Sequence, residues 1–195
     1  MAKFICTHTV PPGKLSSPCF VVPALVAIMV LVAASSLRAG QIDNPEYKAW
    51  ASFKVGSSRT LTASGGGGGY VKSSGGGTLQ STLKGIAGDK VMVQLGTNAN
   101  SPSFPVPAKI DERNIKYVGE ASIQAMGKTF KCKIYELPKQ TSPNGAKSSQ
   151  TKKWICDDVP GGLVKQEDYH TGPGPSPDLQ YKWTETLLLS AYEVK

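Results

Sequence analysis

Cys132 and Cys156 stand at equal distances from Asn144, which sits in the turn-forming triplet Pro143-Asn144-Gly145. The flanking residues 129–137 and 152–157 are rich in β-branched and aromatic side chains and read as strands. Folding back at Asn144 and Gly145 sets the two cysteines opposite each other, or one residue from opposite. Facing residues of an antiparallel pair have Cβ atoms about 4.5–5.5 Å apart, within reach of an S–S bond after small adjustment. The spacing predicts a hairpin clamped by a Cys132–Cys156 disulfide, with two reduced core thiols as the alternative. Closing a loop of this length stabilises the fold by about 3–4 kcal/mol in the chain-entropy model. Phe130, Cys132 and Ile134 then share one strand face, as Trp154 and Cys156 do on the partner.

A disulfide requires an oxidising compartment, and the N-terminus supplies the route. Lys3 and Lys14 precede an uncharged apolar stretch at residues 20–32, followed by the small residues of AASSLRAG. That order is the secretory pattern, so residues 1–39 are expected to be a signal peptide cleaved after Ala39 or Ser36. An uncleaved anchor is the alternative, and membrane contact is otherwise expected only at the periphery. Residues 40–195 then form one exported domain, periplasmic, envelope-bound or secreted. They carry 19 Lys and Arg against 14 Asp and Glu, a net charge of +5. The basic residues are dispersed, which excludes the coherent footprint of a nucleic-acid binder.

Within this domain the pattern is mainly β. Asn44-Pro45-Glu46 is a helix start, and Tyr47, Trp50 and Ala51 fall on one helical face, so one short helix precedes the strands. Residues 64–77 hold eight glycines in fourteen positions and are expected to be a flexible hairpin loop. Residues 78–83 and 89–95 read as strands, the second with Val91, Val93 and Leu95 alternating with longer polar or flexible side chains. The proline-rich residues 97–107 suit a loop or sheet edge. Residues 115–118 and 120–125 suggest two short strands. The turn Val159-Pro160-Gly161-Gly162 is expected to use Pro160 for fixed φ and Gly161 or Gly162 for positive φ. Residues 181–194 are apolar on both alternating sets, as in a strand buried on two sides. His170 falls in QEDYHTGPGPSPD, which reads as a Gly/Pro-rich loop.

The pattern offers no cofactor, metal or catalytic constellation. The exported part has two cysteines and one histidine, too few for a four-ligand metal centre. It lacks C-x-x-C, G-x-S-x-G, the P-loop ending and a strand-bounded G-x-G-x-x-G. Asp157 and Asp158 are neighbours, and neighbours in a strand point to opposite faces, so they do not make an acid pair.

Residues 44–61 (NPEYKAWASFKVGSSRTL), 127–136 (GKTFKCKIYE) and 152–167 (KKWICDDVPGGLVKQE) resemble a group of exported proteins of unknown function from planctomycete-type bacteria. The terminal TETLLLSAYEV is similar to the same group. More distantly, Trp154, the Val159–Gly162 turn and Val164 resemble the curved-sheet lipoprotein carriers LolA and LolB. That resemblance implies a single curved antiparallel sheet or half-barrel with an apolar concavity for acyl chains. The resulting expectation is a non-enzymatic cell-envelope protein that binds an apolar or lipid-like ligand in a β-sheet groove. Candidate lining residues are Trp50, Phe53, Val91, Val93, Phe130, Trp154 and Leu189, with Tyr or Lys at the rim. The alternative is a structural or protein-interaction module of the envelope, docking another envelope protein.

Overall fold

The computed structural model describes residues 40–68, 76–143, 147–173 and 180–195. Residues 1–39, expected to be a signal peptide, residues 69–75 of the glycine run, and Asn144 and Gly145 of the expected hairpin turn lie outside the described residues. The compact unit spans Ala39–Lys195. In chain order it runs β1 (Gln41–Asp43), α1 (Pro45–Ala51), β2 (Ser58–Gly68), β3 (Thr78–Ala87), β4 (Lys90–Leu95), β5 (Ser103–Pro107) and β6 (Lys109–Asp111). A single 3-10 turn (Glu112–Asn114) leads to β7 (Lys116–Ala125), β8 (Lys128–Glu136), β9 (Gln140–Thr141), β10 (Ser148–Ile155), β11 (Leu163–Pro173) and β12 (Gln180–Glu193).

The main sheet is antiparallel, in the order β5-β4-β3-β2-β12-β11-β10-β8-β7, with the short β9 added to β10. It curves into a half-barrel. Across the curve Phe130 of β8 meets Tyr192 of β12 edge to face, with ring centroids 6.4 Å apart. β1 and β6 form a separate two-stranded ribbon. The mainly β, single-sheet expectation with one short helix is therefore met.

Several local expectations change. Ser64–Gly68 are not loop: they continue β2 and pair with Lys182–Thr186 of β12. Glycine contributes no cross-strand packing, but the long β12 supplies a complete ladder of backbone partners, which offsets the entropic cost. Residues 116–125 form one strand rather than two, interrupted by a bulge between Tyr117 and Gly119. His170 likewise lies on a strand, because β10 and β12 flank residues 165–171 on both sides. The proline-rich 103–107 segment is the outer edge strand β5, where missing N–H donors cost no ladder bond on the open side. β12 is central, but α1 does not cover it: Leu189 is buried, while Leu187 and Leu188 are half-buried.

Two apolar clusters hold the sheet. One joins Leu61, Phe130, Cys132, Trp154, Val164 and Leu189 with their neighbours across β2, β12, β11, β10 and β8. The other joins Trp50 of α1 to Leu83, Val91 and Val93 of β3 and β4. α1 is too short to be stable alone. Asn44 caps it by accepting from the Glu46 N–H at 3.0 Å, and Pro45 occupies its first turn. Its packing depends on the turn after β10. Gly161 has φ +70°, and a Cβ there would lie 2.2 Å from Cε2 of Trp50. At Gly162, φ +74°, a Cβ would lie 2.5 Å from Ile155 and 2.9 Å from Ala49. The turn predicted at Pro160-Gly161-Gly162 forms with positive φ at both glycines, and the close approach of the helix leaves no room for a Cβ at either.

Gly88 also has positive φ, +56°, but a Cβ there meets nothing within 4 Å. Gly161→Ala is therefore expected to destabilise the protein by about 2–4 kcal/mol, combining overpacking with left-handed strain. Gly88→Ala carries only the strain, about 1–2 kcal/mol. Urea denaturation followed by circular dichroism measures both; equal losses would show that the Trp50 seat is not a tight contact.

Candidate binding site

The seven apolar candidates do not meet in one groove. Phe130, Trp154 and Leu189 are consumed by the first cluster, and Trp50, Val91 and Val93 by the second. Phe53 is half-buried and belongs to neither. Trp154 is further capped by Lys165, whose Nζ lies 4.7 Å from its ring centroid. Apart from Phe53 these side chains are core, packed against protein, and none of the seven lines the depressions at Gln140–Trp183, at Arg113–Gln150 or at Asp43–Ala108.

A buried charge cluster fastens α1. The Arg59 guanidinium, on β2, donates to the Gly161 carbonyl at 2.6 Å and lies 5.2 Å from the Trp50 ring centroid. Glu46 of α1 forms an ion pair with Lys153 of β10. Burial pushes the Glu46 pKa up, but the Lys153 and Arg59 charges outweigh it and hold the carboxyl below its ordinary range. Burial lowers the Arg59 pKa, and Glu46 opposes that shift. These contacts fasten α1 to the sheet, and among the described residues the Arg59 Nε stays buried without a hydrogen-bond partner.

The two cysteines are the next candidates. The β8–β10 register pairs Ile155 with Lys133, and one step further sets Cys156 opposite Cys132, as the sequence spacing required. The bond itself is not formed: both are free, buried thiols, 2% and 3% exposed. Cys132 donates to the Phe130 carbonyl at 3.6 Å, and Cys156 to the Asp158 carboxylate at 3.7 Å. Burial, reinforced by the neighbouring Cys156, pushes the Cys132 pKa up to about 12. Burial raises that of Cys156 as well. The folded state thus suppresses the thiolate that disulfide exchange needs.

The remaining site was invisible in the sequence. The register aligns Gln140, Ser149, His170, Trp183 and Gly67 in one row across β9, β10, β11, β12 and β2. The His170 and Trp183 rings stack with centroids 4.9 Å apart and planes 17° apart. They line a depression of about 300 Å³, together with Gln140, Thr141 and Ser149. Ser142, Lys147, Ser148 and Thr171 complete its lining, and the Ser148 and Thr171 hydroxyls are bonded to each other at 2.7 Å. Among the described residues, His170 Nε2 is buried without a hydrogen-bond partner. Leaving such a nitrogen unpaired costs about 1–3 kcal/mol. Only strand pairing brings these residues together; a lone histidine in a Gly/Pro-rich stretch carries no signal that it faces a tryptophan thirteen residues away.

Among the described residues no three His, Cys, Asp or Glu side chains gather around a point that could hold a metal ion. No helix among them is long and apolar enough to cross a membrane. Comparison with known proteins finds no matching family model, no matching curated protein and no matching solved structure.

Two outcomes follow for these clusters. The folded Glu46 pKa lies below the unfolded one, near 4.3, so its contribution to stability is complete above that value and is lost as pH falls through the folded pKa. Glu46→Gln is expected to cost roughly 1–3 kcal/mol at pH 7, below the loss for a fully buried pair, and to flatten the acid limb of the stability curve. Urea titrations between pH 3 and pH 7 measure this; an unchanged acid limb would exclude Glu46 as its source. Cys132 and Cys156 should resist iodoacetamide in native buffer and react in urea. Refolding with oxidised glutathione should link them, lowering the combined peptide mass by about two hydrogens. Peptide mass spectrometry reads both results, and rapid native alkylation would contradict the burial.

Proposed function

We propose that the chain is a non-enzymatic, exported binding module of the cell envelope. Its ligand docks at the polar His170–Trp183 depression rather than in an apolar groove. The observation that carries this reading is the placement of aromatic surface. The apolar side chains that would line a lipid groove are spent in packed clusters, whereas Trp183 is half-buried and stacked in an otherwise polar depression. A concave site with a few convergent polar groups and an aromatic wall is the usual form of a small-ligand site. Export rests on the N-terminal sequence pattern, and the non-enzymatic reading rests on Ser149, which faces His170 across β10 and β11, making no hydrogen bond to it among the described residues.

A second reading, a protein-interaction module, draws on β7. This strand ends the sheet, its outer edge has no strand partner among the described residues, and Tyr117 and Val118 on it are exposed. An open edge of this kind accepts an added strand.

Native mass spectrometry of the protein taken from its own envelope distinguishes these readings. A retained small-molecule mass that disappears in Trp183→Ala supports the depression. A retained acyl lipid that survives that substitution overturns it in favour of an apolar site, and a protein adduct alone transfers the role to the β7 edge.

A further inference from the structure

We infer that the His170–Trp183 depression takes a pyranose ring bearing a carboxylate, as in an acidic polysaccharide built from uronic acids. This rests on the reading of that depression as the binding site and adds the chemistry of its ligand. Three features of the wall select the class. Trp183 offers indole surface held in orientation by the stacked His170. The C–H-bearing face of a pyranose is apolar and packs on an aromatic ring, while its hydroxyls leave sideways.

Around that platform, the Ser149 hydroxyl and the Gln140 amide belong to the same row as His170 and Trp183 and have no side-chain hydrogen bond among the described residues. They are short, strand-borne donors and acceptors, suited to hydroxyls around a ring. Among the described residues, Lys147 is the one Lys or Arg in the wall, it has no ion pair, and no carboxylate lines the depression. A single free ammonium beside an aromatic platform fits a carboxylate carried on a ring. A free phosphate would instead call for several converging donors. The net charge of +5 on residues 40–195 favours approach of a polyanionic chain without specifying it.

Trigalacturonate, maltotriose and adenosine monophosphate are suitable probes for the full chain. Trp50 and Trp154 are 1% and 7% exposed, so acrylamide quenching of tryptophan emission reports mainly on Trp183. Trigalacturonate is expected to protect Trp183 from acrylamide. By isothermal titration it should bind at least about fivefold more tightly than neutral maltotriose, an advantage weakened by 0.5 M salt. Lys147→Gln should erase that advantage, and Trp183→Ala should abolish binding of both sugars. Trp183→Phe, which retains a ring, should keep affinity within about tenfold and control for folding. Equal affinities for the two sugars with no effect of Lys147→Gln would overturn the acidic class while leaving the site intact. Protection by adenosine monophosphate alone would overturn the saccharide class. Trigalacturonate binding that persists in Trp183→Ala would locate the sugar elsewhere. If none of the probes protects Trp183, the reading of the depression as a binding site fails with it.

Discussion

Trp50 rests against a turn that has no side chains where the indole needs space, and the arrangement of the rest of the fold depends on that contact. A seven-residue helix has too few internal hydrogen bonds to persist unaided. It is fixed by burial of one indole, worth about 2–3 kcal/mol from area alone, and by links to three separate parts of the sheet. Leu83, Val91 and Val93 receive the ring. Arg59 reaches from β2 to the Gly161 carbonyl while lying near the same indole. Glu46 joins Lys153 on β10. The helix therefore ties strands from distant parts of the sheet, and the β10–β11 turn must be glycine at two successive positions for it to do so. A buried guanidinium would be costly without this geometry; here its attraction to Glu46 and its bond to a carbonyl compensate part of the desolvation.

One sheet face changes character with distance from that helix. The row of Lys153, Gln166, Leu187 and Ala63 is anchored to α1 through Glu46. The next row on the same face is Thr151, Asp168, Glu185 and Gly65, where Asp168 accepts from Thr151 at 2.5 Å and from Gln166 at 2.7 Å. Beyond it come Ser149, His170, Trp183 and Gly67. Polar satisfaction falls along this progression: Lys153 and Asp168 have protein partners, whereas His170 Nε2 has none. The glycines of β2 contribute no side chains to the last two rows, leaving the tryptophan without a bulky neighbour on that strand. Among the described residues, two buried polar atoms lack a hydrogen-bond partner, one at each end: Arg59 Nε beside the helix and His170 Nε2 in the far row.

Where one side-chain period or one turn signal sufficed, the sequence was readable. Asn44 and Pro45 mark the helix start, Val91 and Val93 mark β4, and the symmetry about Asn144 gives the register that sets Cys132 opposite Cys156. The errors share a cause. Ser64–Gly68 and His170 were assigned to loops from composition, but composition does not report that β12 is long enough to pair with both β2 and β11. Likewise alternation marks Phe130, Trp154 and Leu189 as candidate lining for a concave face, whereas they pack in a core cluster. Whether inward means a groove or a filled core depends on curvature, and curvature follows from how nine strands coil together rather than from any one of them. The thiol pair shows the same limit, since spacing sets proximity while burial governs reactivity.

That limit bears directly on where function resides. Sequence and fold agree over most of this chain, with local propensity, turn chemistry and burial pointing the same way. At His170 they diverge: a residue in a loop-like composition is drawn into a strand, stacked on an indole and deprived of a partner for one ring nitrogen. Packing does not explain the arrangement, because neither His170 nor Trp183 belongs to either apolar cluster. Electrostatic fastening does not explain it either, since no ion pair passes through the stack. A polar depression whose aromatic wall belongs to neither apolar cluster and to no salt bridge among the described residues is the feature on which the proposal of ligand contact stands.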